Sequence, residues 1–300
     1  MVGAGNGRIP VNVFFACGAP KSGTTWLQRL LDAHPEVSCS GEGHFVERFS
    51  IPMAEVIRQY NRHMAVVAQQ VYEGQPSYEQ IDQAAFDDLV RGFILGRLTS
   101  RGVDPDVRWV GDKTPGNVLY LEQLQRLFPA ARFISIVRDP RDVTVSRLEH
   151  AVRAGLPRTD ADGQAEIVRR SAEEWVKSID LFAAFAATQP QRVHGLRYED
   201  LLDDPAGEAR RLFGFLGVSV EPALLTRIAE ATSFEAQSGR KPGVEDPRAF
   251  LRKGVAGDWR GRLDPPSARI VEEICGDLLF DYGYGAGGRP GAQIIQLRRG

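Results

Sequence analysis

Apolar and polar positions along this chain fall into two regimes. Val11 to Ala16 (VNVFFA), Val107 to Gly111, Arg132 to Val137 (RFISIV) and Arg192 to Arg197 are short β-rich runs that predict buried strands. Val37 to Cys39 predicts a shorter one. Between them the apolar residues return at helical spacing. Trp26, Leu27, Leu30 and Leu31 share one face of a helix expected from Thr24 to Ala33, which the His34-Pro35 pair stops. Further helices are expected over VLYLEQLQRLF, in a long run ending near Gln189, from Pro205 to Leu216 and from Glu221 to Ala231. Ile51 to Gly102 is mostly helical, broken around EGQPS, and reads as an inserted cap. RAGLPRTDADG reads as flexible, Glu235 to Pro247 as a mobile loop, and the glycine-rich stretch from about 285 to 300 as a flexible tail.

Strands alternating with helices predict a parallel sheet covered on both faces. The expected architecture is a single α/β domain over residues 1–300, with three layers, a central parallel sheet and a helical insertion.

Composition narrows the function. Hydrophobic residues make up 43% and charged residues 25% of the 300, ordinary values for a chain with a substantial core. A formal net charge of −2 gives no basic footprint for nucleic acid, so an anion site has to be built locally. Cys17, Cys39 and Cys275 have neither paired nor C-x-x-C spacing, which argues against a disulfide framework and structural zinc. The first residues lack the flank and apolar core of a leader, and no run approaches the ~20 apolar residues of a membrane span. A soluble, cytoplasmic protein is the expectation.

The chemistry begins at FACGAPKSGTTW. Gly18 and Gly23 keep the spacing of a nucleotide phosphate loop, G-x-x-x-x-G-K-[ST], but Thr24 stands where the lysine belongs and Lys21 lies inside the loop. Strand, glycine loop and helix are the right context, since loop N–H groups and a helix N-terminus attract anions. A plain glycine turn would explain the spacing alone. The longer string PKSGTTW resembles the 5′-phosphosulfate loop of the sulfotransferase superfamily. That resemblance implies 3′-phosphoadenosine 5′-phosphosulfate (PAPS) as donor, 3′,5′-diphosphoadenosine (PAP) as product, and donor contacts from Lys21, Ser22, Gly23, Thr24, Thr25 and Trp26. Lys21 would then neutralise the bridging oxygen that leaves with the 5′-phosphate, with no metal required.

A second segment, ISIVRDPRDVTVS, reads as a strand end followed by a capped helix, with Arg138 at the junction and Ser146 two turns in. It resembles the superfamily's 3′-phosphate motif, with Arg138 and Ser146 in its binding positions. By the same resemblance Tyr198 of RYEDL contacts the adenine, as do Thr232 and Phe234 of TSF, with Trp26 on the opposite face. Arg252, Lys253 and Gly254 of LRKGVAGDW would close over the 3′-phosphate.

The acceptor's proton needs a base, a contribution of ~10²–10⁴-fold. Animal cytosolic sulfotransferases carry a histidine after K-T. Here the string is GDKTPGN, and Pro115 cannot serve. RLLDAHPEVSCSGEGHF resembles the tyrosylprotein sulfotransferase branch, which implies Glu42 as base and Lys113 as a second catalytic lysine beside Lys21. Asp112 and His44 are alternative bases. The Lys21 and Glu42 loops, Lys113, Arg138 and Tyr198 each follow a predicted strand, and ligands of parallel α/β sheets gather at strand carboxyl ends. The expected activity is sulfuryl transfer to a hydroxyl or amine on a small molecule, lipid, glycan or peptide. The cap and the loops near 153–163 and 239–248 would shape the acceptor pocket. A P-loop kinase or hydrolase, and a catalytically inactive nucleotide binder, are the competing readings. Oligomeric state is not legible.

Overall fold

A computed structural model describes residues 11–285 except 77, 156–160, 247 and 250. Five strands, β1 (Asn12–Cys17), β2 (Val37–Gly41), β3 (Trp109–Lys113), β4 (Arg132–Val137) and β5 (Val193–Arg197), form one sheet in the order β2-β3-β1-β4-β5. Every pairing is parallel. The register brings strand ends level: Gly41 and Ala16 both pair with Lys113, Cys17 with Ser135, and Val137 with Arg197. All five carboxyl ends therefore lie along one rim.

The period of two in β1 divides the core. Phe14 and Ala16 face α1 (Thr24–Asp32), α8 (Pro205–Leu216) and α9 (Pro222–Ala231), packing with Leu27, Leu30, Phe213 and Ile228. Val13, Phe15 and Cys17 face the other layer. There α3 (Gln83–Leu98), α4 (Leu121–Leu127) and the far end of α6 (Ala161–Thr188) supply Ile94, Leu124 and Phe185. Phe14, Phe15 and Phe133 are fully buried, each contributing roughly 1.5–3 kcal/mol of apolar burial. A third cluster centres on Trp175 of α6, against α5 (Pro140–Arg153) and α12 (Pro265–Cys275). The Trp175 indole N–H donates to the Arg138 carbonyl at 2.9 Å, tying α6 to the rim. The short helices α7 (Tyr198–Asp203), α10 (Phe234–Ser238), α11 (Trp259–Arg262) and α13 (Leu278–Asp281) complete the described chain.

The α/β reading with a central parallel sheet holds, and α2 (Ile51–Val71) with α3 forms the helical insertion between β2 and β3. Three expectations change. Strand β3 runs two residues further than its apolar pattern, because Asp112 and Lys113 are buried and paired in the ladder. The expected mobile loop starts with α10, and Arg240 gathers the carbonyls of Val244, Arg252 and Leu251 beyond it. A helix begins at Ala161 inside the stretch read as flexible. The tail beyond residue 285 lies outside the described residues. Among the described residues no helix is long and apolar enough to cross a membrane.

His194 on β5 stacks on Phe215 at 5.3 Å, and its Nε2 has no partner among the described residues. Burial first, then the Arg211 charge, pushes its pKa down to about 4. The unfolded chain takes up a proton near pH 6.5 that the folded chain refuses until about pH 4. Stability contributed by neutral His194 is thus complete above pH 6.5 and falls as pH drops towards 4. The loss is at most about 3 kcal/mol at ~1.4 kcal/mol per unit. Urea titrations from pH 7 to pH 4 should show this decline, and His194→Phe should flatten it.

Candidate active site

The loop between β1 and α1 is shaped by contacts only glycine permits. A Cβ on Gly18 (φ 146°) would lie 2.5 Å from the Ile136 carbonyl, and one on Gly23 (φ 96°) 2.5 Å from the Tyr198 ring. The loop is thereby pressed onto the ends of β4 and β5. Gly18 N–H donates to Pro115 O at 3.3 Å, joining it to the end of β3. Lys21 also takes a left-handed conformation (φ 75°), a strain of about 1–3 kcal/mol for a non-glycine residue. Burial, Arg153 and Arg147 depress the Lys21 ammonium below its ordinary range, and Glu42 opposes them. Ser22 is fully buried, and its hydroxyl has no partner among the described residues. Thr24 and Thr25 open α1, so the loop presents an orphaned donor and a helix N-terminus beside a lysine.

A second group lies one strand further along. The Arg138 guanidinium sits 4.3 Å over the Tyr198 ring, and Trp26 meets that ring edge-on at 5.4 Å. Arg138 donates to Val255 O at 3.1 Å and lies 3.8 Å from Asp142, while its buried Nε has no partner among the described residues. Ser146 lies half-buried on α5. The buried Asp142 accepts from the N–H groups of Gly257 (2.6 Å) and Trp259 (2.9 Å), fastening the 252–259 loop onto the start of α5. Gly254 (φ 64°) packs so closely on Phe234 that a Cβ would meet the ring at 2.2 Å. Two expected contacts are otherwise engaged. Thr232 is buried and donates its hydroxyl to Ile228 O at 2.8 Å, within its own helix end. Arg252 pairs with Glu245 (2.7 Å) and Asp258, and Lys253 with Asp258 at 2.5 Å, so this cationic clamp is held on acids of its own loop.

The third group joins β2 to β3. Glu42 N–H donates to Lys113 O (2.7 Å), Gly43 N–H to Asp112 Oδ1 (2.8 Å) and His44 N–H to Thr114 Oγ1 (3.3 Å). Glu42 (φ 43°) and His44 (φ 48°) are both left-handed, and Gly43 has no room for a Cβ, which would meet Phe45 at 2.4 Å. Lys113, 2% exposed, donates from Nζ to Glu42 Oε1 at 2.6 Å. Burial would raise the Glu42 carboxyl, but the bond to Lys113 and the charges of Lys113 and His44 outweigh it and hold the pKa below its ordinary value. Glu42 is half-exposed, ionised and facing Lys21 electrostatically.

Asp112, named as an alternative base, is enclosed by its surroundings. It has no exposed surface, and it accepts from Gly43 N–H, Thr114 Oγ1 (2.7 Å) and Asn117 Nδ2 (3.1 Å). Burial raises its pKa, and those three bonds pull against the rise. A carboxylate so enclosed holds the Glu42 turn through the Gly43 N–H. His44, the other alternative, stays at the site, with Nε2 3.6 Å from Glu42 Oε2. Sequence reading missed Asp142, Asp258 and Glu47. Asp142 (RDPRD) and Asp258 (GDW) stand within the quoted motifs, but only folding shows that each closes a loop. Among the described residues no three His, Cys, Asp or Glu side chains are grouped to hold a metal ion.

Comparison with known proteins gives a consistent picture. The model of the Sulfotransferase family matches residues 13–222, more than half of the chain. A putative protein-tyrosine sulfotransferase of Caenorhabditis briggsae is 28% identical over 214 residues, covering 71% of this chain and 68% of its own. The omega-hydroxy-beta-dihydromenaquinone-9 sulfotransferase Stf3 of Mycobacterium tuberculosis is 33% identical over 180 residues, 57% of this chain and 40% of its own. Two vertebrate relatives are spanned over about half their length, 53% of protein-tyrosine sulfotransferase 2 of Gallus gallus and 55% of protein-tyrosine sulfotransferase 1 of Danio rerio. Among solved structures, mouse sulfotransferase SULT7A1 complexed with PAP superposes with a TM-score of 0.55 at 19% identity, over 90% of this chain and 85% of that one. The sulfotransferase domain from the curacin biosynthetic pathway gives 0.54 at 23%, over 90% and 98%. These two likenesses speak to the fold.

Asp112→Asn tests the positioning role. An amide nitrogen at either oxygen position would confront a donor. The variant should lose about 1–3 kcal/mol in urea denaturation. It should bind PAP as the parent does yet turn over more slowly, because the Glu42 turn loses its anchor.

Proposed function

The chain belongs to the sulfotransferase family, and from that premise we propose that it transfers the sulfuryl group of PAPS to a hydroxyl acceptor, with Glu42 as base. One observation carries the reading. The Lys113–Glu42 pair, with Lys21 electrostatically coupled to Glu42, stands on the rim where the β1 loop meets Arg138 and Tyr198. The residues present fit a donor phosphorylated at both ends of its ribose. Ser22 Oγ and Arg138 Nε are buried donors without partners among the described residues, one in each anion pocket. Between them the partly buried Trp26 could offer an aromatic face to a base, with the buried Tyr198 ring packed against it.

When bound, the donor supplies an activated sulfuryl group on its 5′-phosphate. Ser22, the loop N–H groups and the N-terminus of α1 would hold that phosphate, and Arg138 with Ser146 the 3′-phosphate. Lys21 and Lys113 would lend positive charge to the leaving oxygen. Glu42 accepts the acceptor's proton. Against the effect of burial, Lys113 holds the Glu42 carboxyl below the ordinary range, which keeps it ionised at the cost of some basicity. Arg252 and Lys253 are positioned to exchange Asp258 and Glu245 for the 3′-phosphate. Both tyrosine-directed and menaquinone-directed sulfotransferases are among the relatives, so the comparisons support a hydroxyl acceptor without choosing its carrier.

In a thermal-shift titration PAP without metal should stabilise the protein more than AMP or ATP with magnesium. Arg138→Ala should erase the preference of PAP over AMP, since it removes the 3′-phosphate contact. A larger shift with ATP and magnesium would overturn the donor assignment. Glu42→Gln should bind PAP normally and lose about 10²–10⁴ in kcat with any acceptor that supports turnover. Full turnover would remove Glu42 from its role.

A further inference from the structure

The Glu42 carboxylate is the first of three titratable groups in a row. Beyond it stands His44, whose Nε2 is 3.6 Å from Glu42 Oε2, and beyond His44 stands Glu47, whose Oε1 is 2.5 Å from Nδ1. Glu47 lies in a π-helical turn, Val46–Ser50, a rare form that often marks functional sites. Its second oxygen is buried and has no partner among the described residues, so nothing in them draws the carboxylate away from the imidazole. His44 in turn is held in a left-handed conformation, with its N–H fixed by Thr114 Oγ1. Two strained backbone positions thus hold the imidazole between two carboxylates, and such strain persists only where the surroundings enforce it.

We propose that Glu42, His44 and Glu47 form a proton relay, in which Glu47 fixes the imidazole with Nδ1–H donating and Nε2 open towards Glu42. The inference rests on Glu42 being the base. Lys113 creates the need for a relay. Its charge stabilises the leaving phosphate, and the same charge lowers the proton affinity of Glu42. A carboxylate weakened in this way is a poor place for a proton to remain. Histidine is the side-chain type that exchanges protons near neutrality.

The step balances as follows. The bond between the acceptor oxygen and sulfur forms as the bond between sulfur and the 5′-phosphate oxygen breaks. The acceptor's proton moves to Glu42 Oε2, from there through one bridging water across the 3.6 Å gap to His44 Nε2, and then to bulk water, which reaches the partly exposed imidazole. An acceptor lying against the outer side of Glu42 would cover its exposed oxygen, leaving His44 as the neighbour that takes the proton. Glu42 is then free for the next turnover. Glu47 touches neither acceptor nor donor in this scheme; it is a positioning residue acting through His44.

Chemical rescue and tautomer spectroscopy test the relay on the full chain. His44→Gly suits the left-handed backbone (φ 48°) and opens space for free imidazole. Assayed with PAPS and a panel of simple phenols and primary alcohols, this variant should lose roughly 10²-fold in kcat with its KM for PAPS unchanged. Added imidazole should restore about 10-fold or more. Glu47→Gln should lower kcat with intact PAP affinity, and His44→Asn serves as a second variant that tolerates the same backbone. Independently of any acceptor, nitrogen NMR of the PAP-bound protein should show His44 protonated on Nδ1, and Glu42→Gln should shift its titration. Wild-type kcat in the His44 and Glu47 variants, or an Nε2–H tautomer, overturns the relay; if Glu42→Gln is then inactive, the base assignment stands. Full activity of Glu42→Gln overturns the base assignment itself.

Discussion

The site depends on a short interlock in which three successive backbone N–H groups leaving β2 are received by three successive residues ending β3. Glu42 bonds to the Lys113 carbonyl, Gly43 to the Asp112 carboxylate and His44 to the Thr114 hydroxyl. The first of these bonds continues the ladder, whereas the other two use side chains and require the chain to turn through left-handed conformations. Asp112 makes this possible because its two oxygens face opposite ways in function. One holds the turn, and the other is saturated by Thr114 and Asn117 inside the core. Hydrogen bonds to a buried charged group are worth more than neutral ones, and leaving such a group unmet costs more still. The interlock therefore has little freedom to relax, and the Glu42 side chain is delivered to Lys113 by covalent geometry as much as by attraction.

The donor side is organised by the same logic with opposite charges. Asp142 at the start of α5 and Asp258 in the final loop are acids amid cations. Asp142 binds two backbone N–H groups of that loop and faces Arg138, whereas Asp258 binds Arg252 and Lys253 directly. Without a phosphate present, a cluster of unpaired guanidinium and ammonium groups would repel itself. Internal acids preserve the loop's shape and leave the cations close to where an anion would take over. Arg240 adds a purely structural brace, spreading its donors over carbonyls on both sides of the same loop.

How far the sequence foretold this depends on the range of the interactions. Sheet, layers and helical insertion follow from periodicity in β1, β4 and α1, where local pattern and burial agree. The β1 loop was legible because glycine spacing, a preceding strand and a following helix occupy one continuous stretch. Strand β3 ran past its apolar residues because burial of Asp112 and Lys113 is enforced by partners some seventy residues away, in β2 and its exit turn. Asp112 could be named from sequence as a carboxylate near the chemistry. Its enclosure by Gly43, Thr114 and Asn117 could not. The 235–247 loop read as mobile because its composition is polar and rich in turn residues, while its order comes from Arg240, which holds the carbonyls of Val244, Leu251 and Arg252, and from Glu245, which pairs with Arg252.

One tension runs through the site. A base is most effective when its proton affinity is high, and a leaving group is best stabilised by nearby fixed positive charge. With Glu42 proposed as base and Lys113 as stabiliser of the leaving oxygen, the second need is met at the expense of the first, since they share a 2.6 Å bond. Moving them apart would restore basicity but release Lys113 from its place at the end of β3, where burial makes an uncompensated ammonium costly. The arrangement keeps the pair and adds His44 behind it, steadied by Glu47. The imidazole is thus set beyond Glu42 from Lys113, on the side of the carboxylate that Lys113 does not bond. The left-handed turn through Glu42, Gly43 and His44 is what permits this spacing, because it sets two side chains separated by one glycine against each other across 3.6 Å.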